Sequence, residues 1–314
     1  AISSAASDVY KRQLYNVGGA QREVVSFSLS KLFNDGDSSL TFGYTHQNID
    51  MICSMQSSTS HSNYGKCPAS DFNNRVATRS IYETEHRFFA TLSSTHYFFG
   101  ADKPTTFNLF LERKSGLPGT LTFDTYSSPG RYKTQAFGYE RRVNDDSAHL
   151  LYIPSGLDDP LVCWVSCSNP NNAVGSEILN LLYNTYGLER FKGRILPPGV
   201  FEFPWQTSLD LKITQILPGF RDDDGFVVTL GIENLLNLID DEEGVIRYGD
   251  YTGKIDVFDF QLTSDYSKYI FGNSRGADYA FRYNPSNPYE LRKSAVNSIW
   301  RAQLGVTYKF SLSF

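Results

Sequence analysis

The chain has 314 residues, 40% of them hydrophobic and 20% charged, and carries a net charge of −5, which provides no electrostatic footprint for nucleic acid. A mean hydropathy of −0.34 goes with the absence of any run of about 20 apolar residues, so a helical membrane protein is excluded. A membrane β-barrel is not, because only alternate residues of its strands face lipid, and the 20 Tyr and 23 Phe against 2 Met favour pleated surfaces.

The first thirteen residues contain neither an initiator Met nor the basic-then-apolar layout of a signal peptide. Residues 3–13 read SSAASDVYKRQ and resemble, position by position, the translation of a transposase adapter used in sequencing libraries. The expectation is a non-native tail at 1–13, with 14–314 as the native part of a reading frame truncated upstream. The missing signal peptide then carries no information on localisation.

Strand periodicity follows. Val25, Phe27 and Leu29 share one face ahead of the turn Asn34-Asp35-Gly36-Asp37; Leu40, Phe42 and Tyr44 then alternate with Thr41, Gly43 and Thr45. A candidate strand at 86–98 leads across Gly100-Ala101-Asp102-Lys103-Pro104 to Phe107, Leu109 and Leu111. Ile178, Leu179, Leu181, Leu182 and Tyr186 have helical spacing between Asn171 and Gly187, predicting a small helix packed on the longest loop. Leu209, Leu211 and Ile213 alternate with Asp210, Lys212 and Thr214, and the turn-rich link 218–225 joins them to Phe226, Val228, Leu230 and Ile232. From Trp300 to Phe314 the alternation is complete, long enough for a bilayer-crossing strand.

Seven strands are therefore expected, near 23–33, 39–47, 86–99, 105–114, 206–217, 225–237 and 298–314. Short links make hairpins, and long ones, near 48–85, 115–205 and 238–297, separate them. Short turns on one side and long loops on the other is the layout of an outer-membrane barrel. Closed bacterial barrels have an even number of strands, and an open sheet leaves unpaired backbone in lipid. The expected fold is thus all-β: a partial transmembrane antiparallel barrel, the last strands of a larger one, with long extracellular loops.

Gln303, Gly305, Tyr308 and Phe310 in the last strand resemble the assembly signal of outer-membrane proteins, with Phe314 a competing terminal aromatic. A terminal strand with an exposed apolar row is suited to pairing with the edge of an assembly machine. Longer stretches resemble the Oar-like TonB-dependent receptors. They are Leu150-Leu151-Tyr152-Ile153-Pro154-Ser155-Gly156-Leu157-Asp158-Asp159-Pro160, Phe203-Pro204-Trp205 leading into Leu209-Asp210-Leu211, Leu217-Pro218-Gly219-Phe220, Ile232-Glu233-Asn234-Leu235-Leu236-Asn237 and Ser298-Ile299-Trp300-Arg301-Ala302-Gln303-Leu304-Gly305. Order and spacing agree across residues 149–310, roughly half the chain. One departure is Asp240-Asp241-Glu242-Glu243-Gly244, where the family tends to place paired Asp followed by Trp-Gly. The resemblance implies a barrel of about 22 strands with an N-terminal plug and a box contacting TonB, neither of which is found in this sequence. It also implies residence in the outer membrane of a Gram-negative bacterium, with lipid, the barrel assembly machinery and the TonB complex as partners, and energy-coupled uptake of a small-molecule or oligosaccharide ligand.

Candidate chemistry is sparse. Cys53, Cys67, Cys163 and Cys167 all fall in long loops, expected to face an oxidising exterior; four cysteines allow three pairings, with Cys53–Cys67 and Cys163–Cys167 the natural ones. Met51, Met55, His46 and His61 near the first pair fit no standard zinc spacing, so neither metal nor cofactor is expected. The acidic runs 222–224 and 240–243 lack the spacing of a calcium loop and suit solvated turns. The five His (46, 61, 86, 96, 148) are scattered, with no nucleophile at motif spacing, and no Gly-rich phosphate loop is present, so no enzyme is expected. Aromatics crowd 248–283; stacking on a sugar or siderophore ring is one use, mutual packing in hairpins above the membrane the favoured one. The alternative reading is a secreted β-sandwich module for adhesion or carbohydrate binding.

Overall fold

The computed structural model describes residues 16–53, 58, 63, 67–69, 74–124, 150–165, 169–221, 223–248, 254–259, 261–262, 279–283 and 292–310. The tail at 1–13 lies outside them. Seven long strands form one antiparallel sheet in chain order: β1 (Gln21–Phe33), β2 (Ser38–Met51), β3 (His86–His96), β4 (Thr105–Lys114), β5 (Gln206–Pro218), β6 (Gly225–Glu233) and β7 (Arg301–Lys309). The two-residue strand Thr78–Arg79 adds to the far end of β2. The fold is all-β, as the alternation predicts, and among the described residues the sheet is open, with β1 and β7 at its edges.

Several strand ends differ from expectation: β2 runs on to Met51, past 47, and β3 stops at His96, short of 99. β6 stops at Glu233, not 237, because Asn234 turns left-handed (φ 54°), and Leu235–Ile239 coil into a short helix. Asn tolerates that region better than most residues, and here it is fixed by its amide. Asn234 Nδ2 donates to the carbonyls of Gly244 (3.0 Å) and Ser298 (3.2 Å), and its backbone N–H to Asp210 Oδ1 (2.8 Å). Gly244 must be glycine, since a Cβ there would overlap Asn234 Oδ1. β7 spans Arg301–Lys309 and not 298–314; residues 311–314 lie outside the described residues.

Cross-strand register puts every apolar series on one face. Phe27 faces Tyr44, which faces Phe88; Leu40 faces Leu92, Leu92 faces Leu109, Leu109 faces Leu211, Leu211 faces Ile232 and Ile232 faces Ala302. A shift by one residue in any pair would break this continuity, because side chains alternate with period two. The opposite face is hydroxyl-rich: Ser26 and Ser30 bond Thr45 (3.1 Å) and Thr41 (2.9 Å), and Thr95 bonds Thr106 (3.0 Å).

The buried core is elsewhere. None of the wall's Leu, Ile, Val or Phe side chains is buried among the described residues; Phe123, Leu151, Ile153, Trp164, Ile178, Leu182, Leu196, Ile255 and Tyr283 are, and all belong to the two longest loops. Those loops interlock. Strand Lys254–Asp259 runs parallel to Pro118–Asp124, and Tyr279–Tyr283 runs parallel to Val162–Trp164. The expected helix, α1 (Asn172–Asn180), continues as a π-helical turn over Leu181–Thr185 and buries Ile178, Leu179 and Leu182 in this core. Gly175 on α1 abuts the Trp164 ring so closely that a Cβ would lie 2.7 Å from it.

Candidate functional site

The polar face of the wall is its concave face. Five adjacent strands, β3 to β7, line a cavity of about 730 Å³ there, with Thr91, Asn108, Asp210, Lys212, Gln303 and Thr307 among its walls. Small or hydrogen-bonding side chains dominate, so the concavity is wettable, in contrast to the apolar pocket of a typical small-molecule site.

On the opposite face the apolar rows stand in the open. Phe27, Leu29, Leu304 and Val306 on the edge strands are about 60–70% exposed, and Leu40, Phe42, Leu92 and Leu111 further in remain about 40% exposed. Exposed apolar continuity on this scale marks an interaction surface. Aromatic clusters bound it at both ends. At the loop end Tyr44 packs on Phe88 (4.8 Å between ring centroids), and Trp205 stacks beside His86 and Phe88 under the Arg113 guanidinium. At the turn end Phe226 packs on Tyr308 (4.7 Å), with Phe220 and Phe310 against the same cluster, and His96, Phe98 and Phe107 form a second group.

The four assembly-signal positions divide between the faces. Gln303 and Gly305 line the concave cavity, whereas Tyr308 and Phe310 sit in the turn-end aromatic cluster, Tyr308 donating its hydroxyl to Asp224. β7 pairs with β6 over its whole length and with no other strand among the described residues.

The cysteines behave as two sets. Cys53 and Cys67 are brought together, as the spacing suggests, but as neighbouring thiols and not as the disulfide expected. Cys67 Sγ donates to the Ile52 carbonyl (3.3 Å) and Cys53 Sγ to that of Asn63 (3.7 Å). The neighbouring Cys53 thiol, together with burial, pushes the Cys67 thiol far above its ordinary range. Cys163 is disulfide-bonded, while Cys167 lies outside the described residues.

In the loop core, Tyr283 is fully buried beneath Phe123 (5.6 Å) and Trp164 (5.4 Å) and donates its hydroxyl to the Tyr152 carbonyl. Burial raises its pKa well above the ordinary value. This aromatic of the 248–283 crowd thus packs on rings of the other long loop; Tyr251, Phe260, Tyr266, Tyr269 and Phe271 lie outside the described residues. Asp159 anchors the same loop, accepting from Ser155 N (2.7 Å), Ser155 Oγ (2.9 Å), Leu161 N (2.9 Å) and Tyr152 Oη (3.0 Å). Burial works against the carboxylate, yet these donors hold its pKa below the usual value.

Two of the long loops meet at the loop end of the sheet. Arg79 pairs with Glu83 (2.5 Å), Glu85 (2.7 Å) and Glu202 (3.9 Å), tying the 52–85 loop to the 115–205 loop. Burial raises the Glu202 carboxyl, against the pull of Arg79. Beside this network His46, His86 and Glu85 converge. Sequence spacing did not bring them together, although pairing the strands expected at 39–47 and 86–99 places His46 opposite His86. The acidic run 240–243 forms a turn, with Asp240 Oδ1 accepting from the Glu242 N–H (3.0 Å). In the other run Asp222 lies outside the described residues.

Comparison of the chain with protein-family models, with curated proteins and with solved structures yields no match.

Proposed function

We propose that this chain forms part of the wall and the outer loops of an Oar-like TonB-dependent receptor in the outer membrane of a Gram-negative bacterium. Such a protein works in energy-coupled uptake of a small molecule or oligosaccharide and is not an enzyme. One observation carries the proposal: an apolar face, continuous in register across seven antiparallel strands, exposed on β1 to β4 and β7, half-buried on β5 and β6, and bounded by aromatic clusters at both ends, backs onto a concave polar face. Water does not favour that arrangement, whereas lipid outside and solvent inside satisfy both faces at once. Dimensions agree. The nine residues of β7 rise about 30 Å along the strand, and a tilt of about 40° brings this close to the ~25 Å apolar band of outer-membrane barrels. A β-sandwich would need a second sheet over the apolar face, and that face is exposed instead.

The loop cap, built from 115–205 and 238–297, is the ligand-capturing part on this proposal, and coupling to TonB belongs to the plug and box of such receptors. Expression of a complete receptor carrying this chain into Gram-negative outer membranes tests the proposal. The expected product extracts only with detergent and migrates differently on gels before and after boiling; a monomer soluble without detergent overturns it.

A further inference from the structure

We propose that His46, His86 and Glu85 form a site for a divalent transition metal of the zinc or copper(II) class at the loop-end rim of the wall. The inference stands on local geometry and does not depend on the transport reading. His46 and His86 are directly opposed in the β2–β3 register, so the backbone itself sets their rings 5.2 Å apart. Each of the three residues offers a ligand atom within 4.8 Å of the others.

Their other atoms are committed in the way metal ligands require. His46 Nδ1 lies 3.1 Å from the Glu85 carbonyl oxygen, which can only accept. The proton therefore sits on Nδ1, and the lone pair of the neutral ring is on Nε2. His86 Nδ1 is bonded to Tyr44 Oη (2.9 Å), which leaves its Nε2 facing Glu85 Oε1 at 3.4 Å. Glu85 Oε2 is held by Arg79 (2.7 Å), so Oε1 is the oxygen turned towards the imidazoles. A backbone carbonyl or polar group on the far nitrogen is the usual outer support of a metal-bound histidine. Tetrahedral zinc with N and O ligands at about 2.0–2.2 Å asks for donors roughly 3.4 Å apart. Small side-chain rotations supply that closure, since all three groups are partly exposed. Three protein donors leave a fourth position for water. Cys53 and Cys67 are softer zinc donors than imidazole, so the test blocks them chemically.

The full chain, in detergent and with its thiols alkylated, is titrated with Zn2+ by equilibrium dialysis. One ion per chain is expected, and His46→Gln and His86→Gln should each weaken binding at least tenfold. Copper(II) loaded at the same stoichiometry should show coupling to two nitrogens in the parent and to one in each variant. Without any variant, Zn2+ should protect both histidines of the parent from carbethoxylation, read by mass spectrometry. Equal zinc affinity in parent and variants, or unprotected histidines in the parent, overturns the site.

Discussion

Asp159 shows how a single residue holds the loop cap together. Four donors converge on its carboxylate in a part of the chain with few regular hydrogen bonds. Because these donors lower its folded pKa below the unfolded one, the stabilisation is complete above about pH 4. It drains away as pH falls through the lowered folded value. Asp159→Asn should remove about 1–3 kcal/mol from the cap, measured as faster limited proteolysis within 150–203 at neutral pH. The parent should reach the same susceptibility only on acidification. Asn234 plays a comparable part at the end of β6: its side chain joins the 244 turn to the segment leading into β7 through two carbonyls. Both residues lie in stretches that resemble the receptor family, but their spacing does not record which backbone groups they meet.

Strands were the most legible elements, since a period-two pattern needs no tertiary information. β4 and β5 lie within a residue of the positions the alternation predicts, and β6 fails only where Asn234 enters the left-handed region. The same period makes the two faces separable by mutation. Leu230, between Ile213 and Leu304 on the apolar face, should lose about 2–4 kcal/mol of folding free energy in vesicles on substitution by Arg. Thr229→Arg, one residue away on the concave face, should lose far less. Urea titrations of both variants in the same lipid supply the comparison; equal losses would mean that the apolar face does not meet lipid. The short loop strands, such as Val162–Trp164 and Lys254–Asp259, carry no legible period because they are only a few residues long, and their partners lie well over a hundred residues away in the chain.

In the whole molecule, the hydrophobic core and the apolar surface belong to different parts. The cap buries its apolar side chains within itself, as a water-soluble unit does, while the wall turns its own outward. The three tryptophans sample this division: Trp205 sits in the loop-end aromatic cluster, Trp300 precedes β7 and is exposed, and Trp164 is buried in the cap. In vesicles containing brominated lipid, a variant retaining only Trp205 should be strongly quenched, and one retaining only Trp164 should not. Quenching of neither would place the wall outside the bilayer.

Side-chain alternation and turn chemistry act within a few residues, so the strands, their hairpin turns and the apolar and polar row of each strand are legible in the chain alone. So is the small helix, whose apolar spacing matches the side chains it buries. Long-range packing makes the polar face the concave one, gives the two longest loops one core, and brings His46 to Glu85 and His86 at the loop end. Each of these depends on sheet curvature or on contacts between segments far apart in the chain, where no local pattern records the partner.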